Sequence, residues 1–172
     1  MSGDVRHSAV SQARRIDLAE AIARDGPGDS HVNDAAAVQH LLRQVPLFKR
    51  IGKRHLRSLA GCCQVMRYRP GEPIVRERFS GEAFFAIAGG SACVQRPDGH
   101  KVMLAQGDFF GELSLIDGAS RNATVVAETD MIALKLKRQT FLDLLDAEPT
   151  VCRALIESLV ERIREIEARP PA

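Results

Sequence analysis

Tryptophan is absent from this 172-residue chain, tyrosine occurs once and cysteine four times. Cys62, Cys63, Cys93 and Cys152 follow no Cys-x-x-Cys spacing, and the adjacent pair cannot easily close on itself, which argues against a disulfide framework and against a thiolate metal site. They read as reduced core residues. No apolar run approaches the roughly 18 to 20 residues of a membrane span, so membrane insertion is not expected. Residues 1–10 are polar, with neither a basic start leading into an apolar stretch nor a lipidation signature, and a cytoplasmic place is the expectation. Net charge is low as well: a formal +2 is too mild to demand nucleic acid. The five histidines are scattered, and no Walker glycine loop, HExxH, nucleophile elbow or kinase signature occurs, so neither catalysis nor a metal is expected.

What the chain does have is a change of texture. Residues 11–24 show helical spacing that Asp25-Gly26-Pro27-Gly28-Asp29 breaks, and a second helical stretch runs from about Asn33 or Asp34 through Val45 to Pro46. A short helix after Gly52 places Leu56, Leu59 and Ala60 on one face. From Gln64 to Leu136 the pattern becomes short alternating runs punctuated by turns, the signature of an antiparallel barrel or sandwich. Beyond Lys137 the helical period returns, with a break at Pro149 and a stripe of Cys152, Leu155, Ile156, Leu159, Ile163 and Ile166 expected to lie on the barrel. The expected division is an N-terminal extension over residues 1–33, a helical segment over 34–63, the barrel over 64–136 and two C-terminal helices over 137–169.

Between two strands sits Phe109 to Val125, FFGELSLIDGASRNATV. Gly111 lets backbone approach a ligand, and the amides of the turn behind it favour an anion. Arg121 adds a planar fork that grips two phosphate oxygens, whereas the acceptor Glu112 suits a sugar hydroxyl. A surface loop in which Glu112 and Arg121 only pair with each other is the plainer alternative.

The order of these residues resembles the phosphate-binding cassette of cyclic nucleotide-binding domains, as in catabolite activators, protein kinase A regulatory subunits and cyclic-nucleotide-gated channels. The likeness covers about residues 41–165 and includes Tyr68-x-Pro70-Gly71-Glu72, Gly81, Phe85-x-Ile87, Gly90, Gly107-Asp108 and Phe141. It implies a mainly β, α+β fold: a jelly-roll-like barrel flanked by N-terminal and C-terminal helices. It also implies a ligand, cAMP or cGMP, held by Phe110, Gly111, Glu112, Leu113, Ser114, Arg121, Asn122, Ala123 and Thr124. An effector protein would read occupancy through the last helix, with no direct nucleic-acid contact.

Two departures stand out. Glu77-Arg78-Phe79 replaces the Glu-Gly-Asp of many members, and Asn122 follows the cassette arginine where relatives carry Ala, Ser or Thr, leaving cAMP and cGMP undistinguished. The activators' adenine contact has no counterpart, so Arg162, Ile163 and Ile166 are the lid candidates. The last helix also allows a homodimer seam, although its stripe spans only about two heptads. A barrel that serves purely as an interaction module, or a sensor cut from a regulator or channel, is the alternative function.

Overall fold

The computed structural model describes residues 35–168, and the helical reading of residues 11–24 lies outside them. Helix α1 spans Ala35–Gln44, a 3-10 turn Pro46–Phe48 and helix α2 Lys53–Cys62. Val38, Leu41 and Leu42 recur at helical spacing and are buried, and Pro46 follows where α1 has stopped.

Eight strands follow: β1 Gln64–Tyr68, β2 Pro73–Val75, β3 Ala83–Gly89, β4 Ala92–Gln95, β5 Lys101–Leu104, β6 Phe109–Phe110, β7 Thr124–Ala127 and β8 Met131–Lys137. They form two four-stranded antiparallel sheets, in the orders β1-β8-β3-β6 and β2-β7-β4-β5. The fold is therefore α+β and mainly β, with two sheets rather than one closed cylinder. A short helix α3, Glu112–Ile116, separates β6 from β7, and helices α4, Arg138–Ala147, and α5, Pro149–Glu167, complete the described chain.

Strand β3 explains how the layers join. Its alternation sends Ala83, Phe85 and Ile87 into the core shared by both sheets, and Phe84, Ala86 and Ala88 into a second core beneath the helices. Phe84 stacks on Phe141 of α4 at 4.4 Å between centroids, lies 5.6 Å from Phe109 and meets Phe48 edge-on at 6.0 Å. One fully buried ring thus links the 3-10 turn, the strand that opens the cassette and the first C-terminal helix; each such pair adds about 0.5 to 1.5 kcal/mol beyond its buried area.

Two expectations are corrected here. Cys62, at the end of α2, is exposed, while Cys93 is buried and Cys63 is pushed up to about 12 by burial. The stripe on α5 does not pack along its whole length. Val151 and Leu155 are buried near the hinge, but Ile156 beside them faces outward, and Ile163 and Ile166 are exposed because the distal half of the helix runs past the core instead of along it.

Candidate functional site

The cassette begins with β6, a two-residue strand paired to β3 as Phe85 with Phe110 and Ala86 with Phe109. Phe110 faces the inter-sheet core and stacks on Phe85 at 5.1 Å. At Gly111 the backbone turns left-handed, φ 91°, and starts α3. A Cβ there would stand 2.7 Å from Arg121 Nη1 and 2.9 Å from the Ala83 carbonyl. Both the dihedral and the space require glycine.

Arg121 is only 7% exposed. Its Nη1 donates to the Gly111 carbonyl at 2.7 Å and to Ser114 Oγ at 2.8 Å, and its Nη2 donates to the Ala83 carbonyl at 2.6 Å. All three acceptors are neutral. Among the described residues, no carboxylate lies within ion-pair distance of this guanidinium. Burial lowers its pKa, an effect that nearby Glu112 opposes. A buried, pre-oriented cation satisfied only by dipoles is a site for an anion.

The backbone of Arg121 is fixed as well. Its N–H donates to the Phe79 carbonyl and its carbonyl accepts from the Arg78 N–H, each at 2.8 Å. Arg78 itself has φ 68°, a left-handed backbone that among the described residues no other non-glycine residue adopts.

Glu112 does not pair with Arg121. Its Oε1 accepts from Arg162 Nη1 at 2.5 Å, Arg162 Nη2 donates to the Phe109 carbonyl at 2.8 Å, and the same guanidinium lies 4.8 Å above the Phe109 ring. Glu112 is 2% exposed, and its burial pushes the carboxyl pKa up against the opposing pull of Arg162. One arginine from α5 thereby closes over the cassette, holding it by a charge pair, a carbonyl and an aromatic face.

These residues border a cavity of about 340 Å³. Phe110, Gly111, Glu112, Leu113, Ser114, Arg121, Asn122 and Ala123 all line it, as do Arg162 and Ile166 from the lid helix. Thr124 and Ile163 do not. The Thr124 hydroxyl accepts from the Glu77 N–H at 3.1 Å, and Ile163 is 54% exposed. Val75, Val94, Val102 and Leu104 supply apolar wall, and Arg96, Asp108, Glu161 and Glu165 add charged groups that were not among the expected site residues. Gly81, read in the sequence as a turn and part of the family likeness, has a packing role besides: a Cβ on it would stand 2.0 Å from Ser114 Oγ and 3.2 Å from Arg121 Cζ.

At the other end of α5 a second contact fixes the lid. Glu148, between α4 and α5, is bonded by His55 Nδ1, by the Gly52 amide and, at 3.4 Å, by the Thr150 hydroxyl. It thus caps α2 from across the structure. The His55 bond, aided by Gly52, holds the Glu148 carboxyl below its ordinary range. A depressed carboxyl contributes stability above its unfolded pKa, about 4.3, and loses it as pH falls through the folded value. Glu148→Gln is accordingly expected to lower Tm at pH 7, with the deficit shrinking progressively below about pH 4.3; a deficit unchanged down to pH 3 would refute this role.

Two facing sheets, a buried arginine and carboxylate in one cavity, and a helix pinned across its mouth define a ligand-binding jelly-roll domain. Residues 65–148 match the family model described as cyclic nucleotide-binding domain. Over those residues the chain belongs to the cyclic nucleotide-binding domain family. It is 33% identical over 109 residues to a cAMP-dependent protein kinase regulatory subunit of Colletotrichum orbiculare, covering 62% of this chain and 28% of that protein. It is 34% identical over 122 residues to a cyclic nucleotide-gated potassium channel of Rhizobium etli, covering 71% and 34% respectively. Among solved structures, the Thermus thermophilus catabolite activator protein aligns with TM-score 0.62 and 31% identity, over 71% of this chain and 60% of that one. The chain spans about a third of the length of these two curated relatives.

Proposed function

We propose that this domain is a non-catalytic, cytoplasmic receptor for a cyclic nucleotide, cAMP or cGMP, which passes occupancy through α5 to an effector protein. The observation that carries the reading is the division of labour in one cavity: buried Arg121 presents its fork beside Gly111 and Ser114, and buried Glu112 stands one residue beyond the same glycine. Arg121 would hold the cyclic phosphate and Glu112 a ribose hydroxyl. The kinase regulatory subunit, channel and activator relatives named above support the ligand class.

Coupling runs through Arg162. A ribose hydroxyl donating to Glu112 shares that carboxylate with Arg162, since its two oxygens can accept both. Ligand and lid then favour the same arrangement of α5, and the shift between two positions is limited by the ligand's differential affinity for them. The exposed Ile156, Val160 and Ile163 offer an apolar face suited to the effector or to a second copy of the chain.

Titration calorimetry with cAMP and cGMP tests the binding; no heat with either nucleotide at high excess would refute it. Arg162→Ala is expected to weaken affinity about tenfold, because its charge-assisted bonds contribute roughly 1.5 kcal/mol after discounting its partial exposure. Stopped-flow release of a fluorescent nucleotide should place most of that loss in faster dissociation. Unchanged release would remove Arg162 from the coupling.

A further inference from the structure

Residues 35–71 contain eight lysines and arginines and no aspartate or glutamate. The rest of the chain holds sixteen such cations against twenty-two carboxylates, so the positive charge of the molecule is concentrated in this one segment. Arg43, Lys49, Arg50, Lys53, Arg54 and Arg57 are all exposed on it. None of them makes an ion pair among the described residues.

Their placement works against local stability. Lys53 and Arg54 occupy the first two positions of α2, which has no acidic residue in its first turn, so both cations face the positive end of the helix dipole. Lys53 and Arg57 are like charges at i,i+4, a spacing that also destabilises a helix. Five cations within nine residues thus repel one another and the helix end, with no compensating ion pair among the described residues.

We infer that this face of the 3-10 turn and α2 docks an acidic segment of a partner protein. Three features select that occupant over other polyanions. The patch is compact: Lys53 to Arg57 rise only about 6 Å along α2, and with Lys49 and Arg50 the cluster offers five cations, short of the six to ten phosphate contacts typical of duplex binders. Phe48, the aromatic beside the cluster, is completely buried and cannot stack on a base. The exposed large apolar side chains of the described residues all lie outside residues 35–71, so nothing here inserts into a lipid surface. The carboxylate excess elsewhere repels an extended polyanion and leaves a short acidic segment as the complementary ligand. Glu148, bonded to Gly52 and His55, fixes the first turn of α2 against the start of α5, so a partner seated here sits on the helix that Glu148 ties to the base of the lid.

The test uses the full chain and a fluorescein-labelled oligoglutamate peptide, read by anisotropy at low and moderate salt, with a duplex DNA oligonucleotide and phosphatidylserine vesicles as competing probes. The parent should bind the peptide, more weakly as salt rises. A Lys53→Glu, Arg54→Glu, Arg57→Glu variant should lose at least tenfold in affinity. Its Tm should rise or hold, because carboxylates suit a helix N-terminus, so lost binding will not reflect misfolding. Absence of salt-sensitive peptide binding by the parent, equal binding by the variant, or tighter variant-sensitive binding of DNA or vesicles would each overturn the inference. The nucleotide reading is untouched by any of these outcomes, since no nucleotide is added.

Discussion

Replacing Arg121 by alanine is expected to weaken cyclic-nucleotide binding by roughly two to four decades, since removing one partner of a desolvated charge pair costs about 3 to 5 kcal/mol. The size follows from the setting of this side chain. It is 7% exposed and held by three neutral acceptors, so a ligand phosphate would supply the negative charge without competing with a resident carboxylate. Arg121→Lys separates charge from geometry: an ammonium keeps the charge but cannot hold Ser114, two carbonyls and a phosphate through one rigid fork. Its affinity should fall between parent and alanine. Calorimetry on all three decides the matter, and alanine binding as tightly as the parent would remove Arg121 from the site.

Gly81→Ala carries the next largest effect, although Gly81 would touch no ligand. The added methyl would stand 2.0 Å from Ser114 Oγ and 2.6 Å from Ser114 Cβ, forcing α3 and the Arg121 guanidinium to shift. Overpacking of this kind costs about 1 to 3 kcal/mol, or a Tm loss of several degrees in a domain of this size. Affinity should fall at least tenfold with it, because Ser114 and Arg121 move together. Gly61→Ala is the control, since a Cβ there meets nothing within 4 Å. It should leave affinity unchanged and stability equal or higher. Urea unfolding and nucleotide titration of both variants report the contrast, and normal affinity in Gly81→Ala would show that the cassette tolerates displacement.

The contrast between Arg121 and Gly81 shows where sequence reasoning reached and where it stopped. Gly111, Glu112 and Arg121 were readable because their chemistry is carried by residue type and short spacing, and the strands and helices because their periodicities differ. Strand β6 was not, since two residues carry no period; its register comes from pairing with Phe85 and Ala86. Gly81 reads as turn punctuation, and its packing against Ser114 exists only once distant segments meet. Arg162 and Glu112 are fifty positions apart, so their bond depends on how α5 crosses the cassette. The family resemblance suggested Thr124 as a ligand contact; its hydroxyl accepts from the Glu77 N–H, a pairing across forty-seven positions that no local pattern shows. The exposed distal half of α5 was missed for a related reason: an apolar stripe states which face is apolar and not how far the core extends beneath it.

Thermal unfolding of the parent and of Arg121→Ala, each with cAMP and with cGMP, puts the central claim to the most direct test. A ligand at 100 times its dissociation constant stabilises by about 2.7 kcal/mol, or about 5 to 10 °C in Tm for a chain of this length. The account predicts a shift of that size in the parent with at least one of the two nucleotides, and at most about 1 to 2 °C in the alanine variant at the same concentration, where two or more decades of lost affinity leave about 0.4 kcal/mol or less. No shift in the parent with either nucleotide, or an equal shift in both proteins, would contradict it.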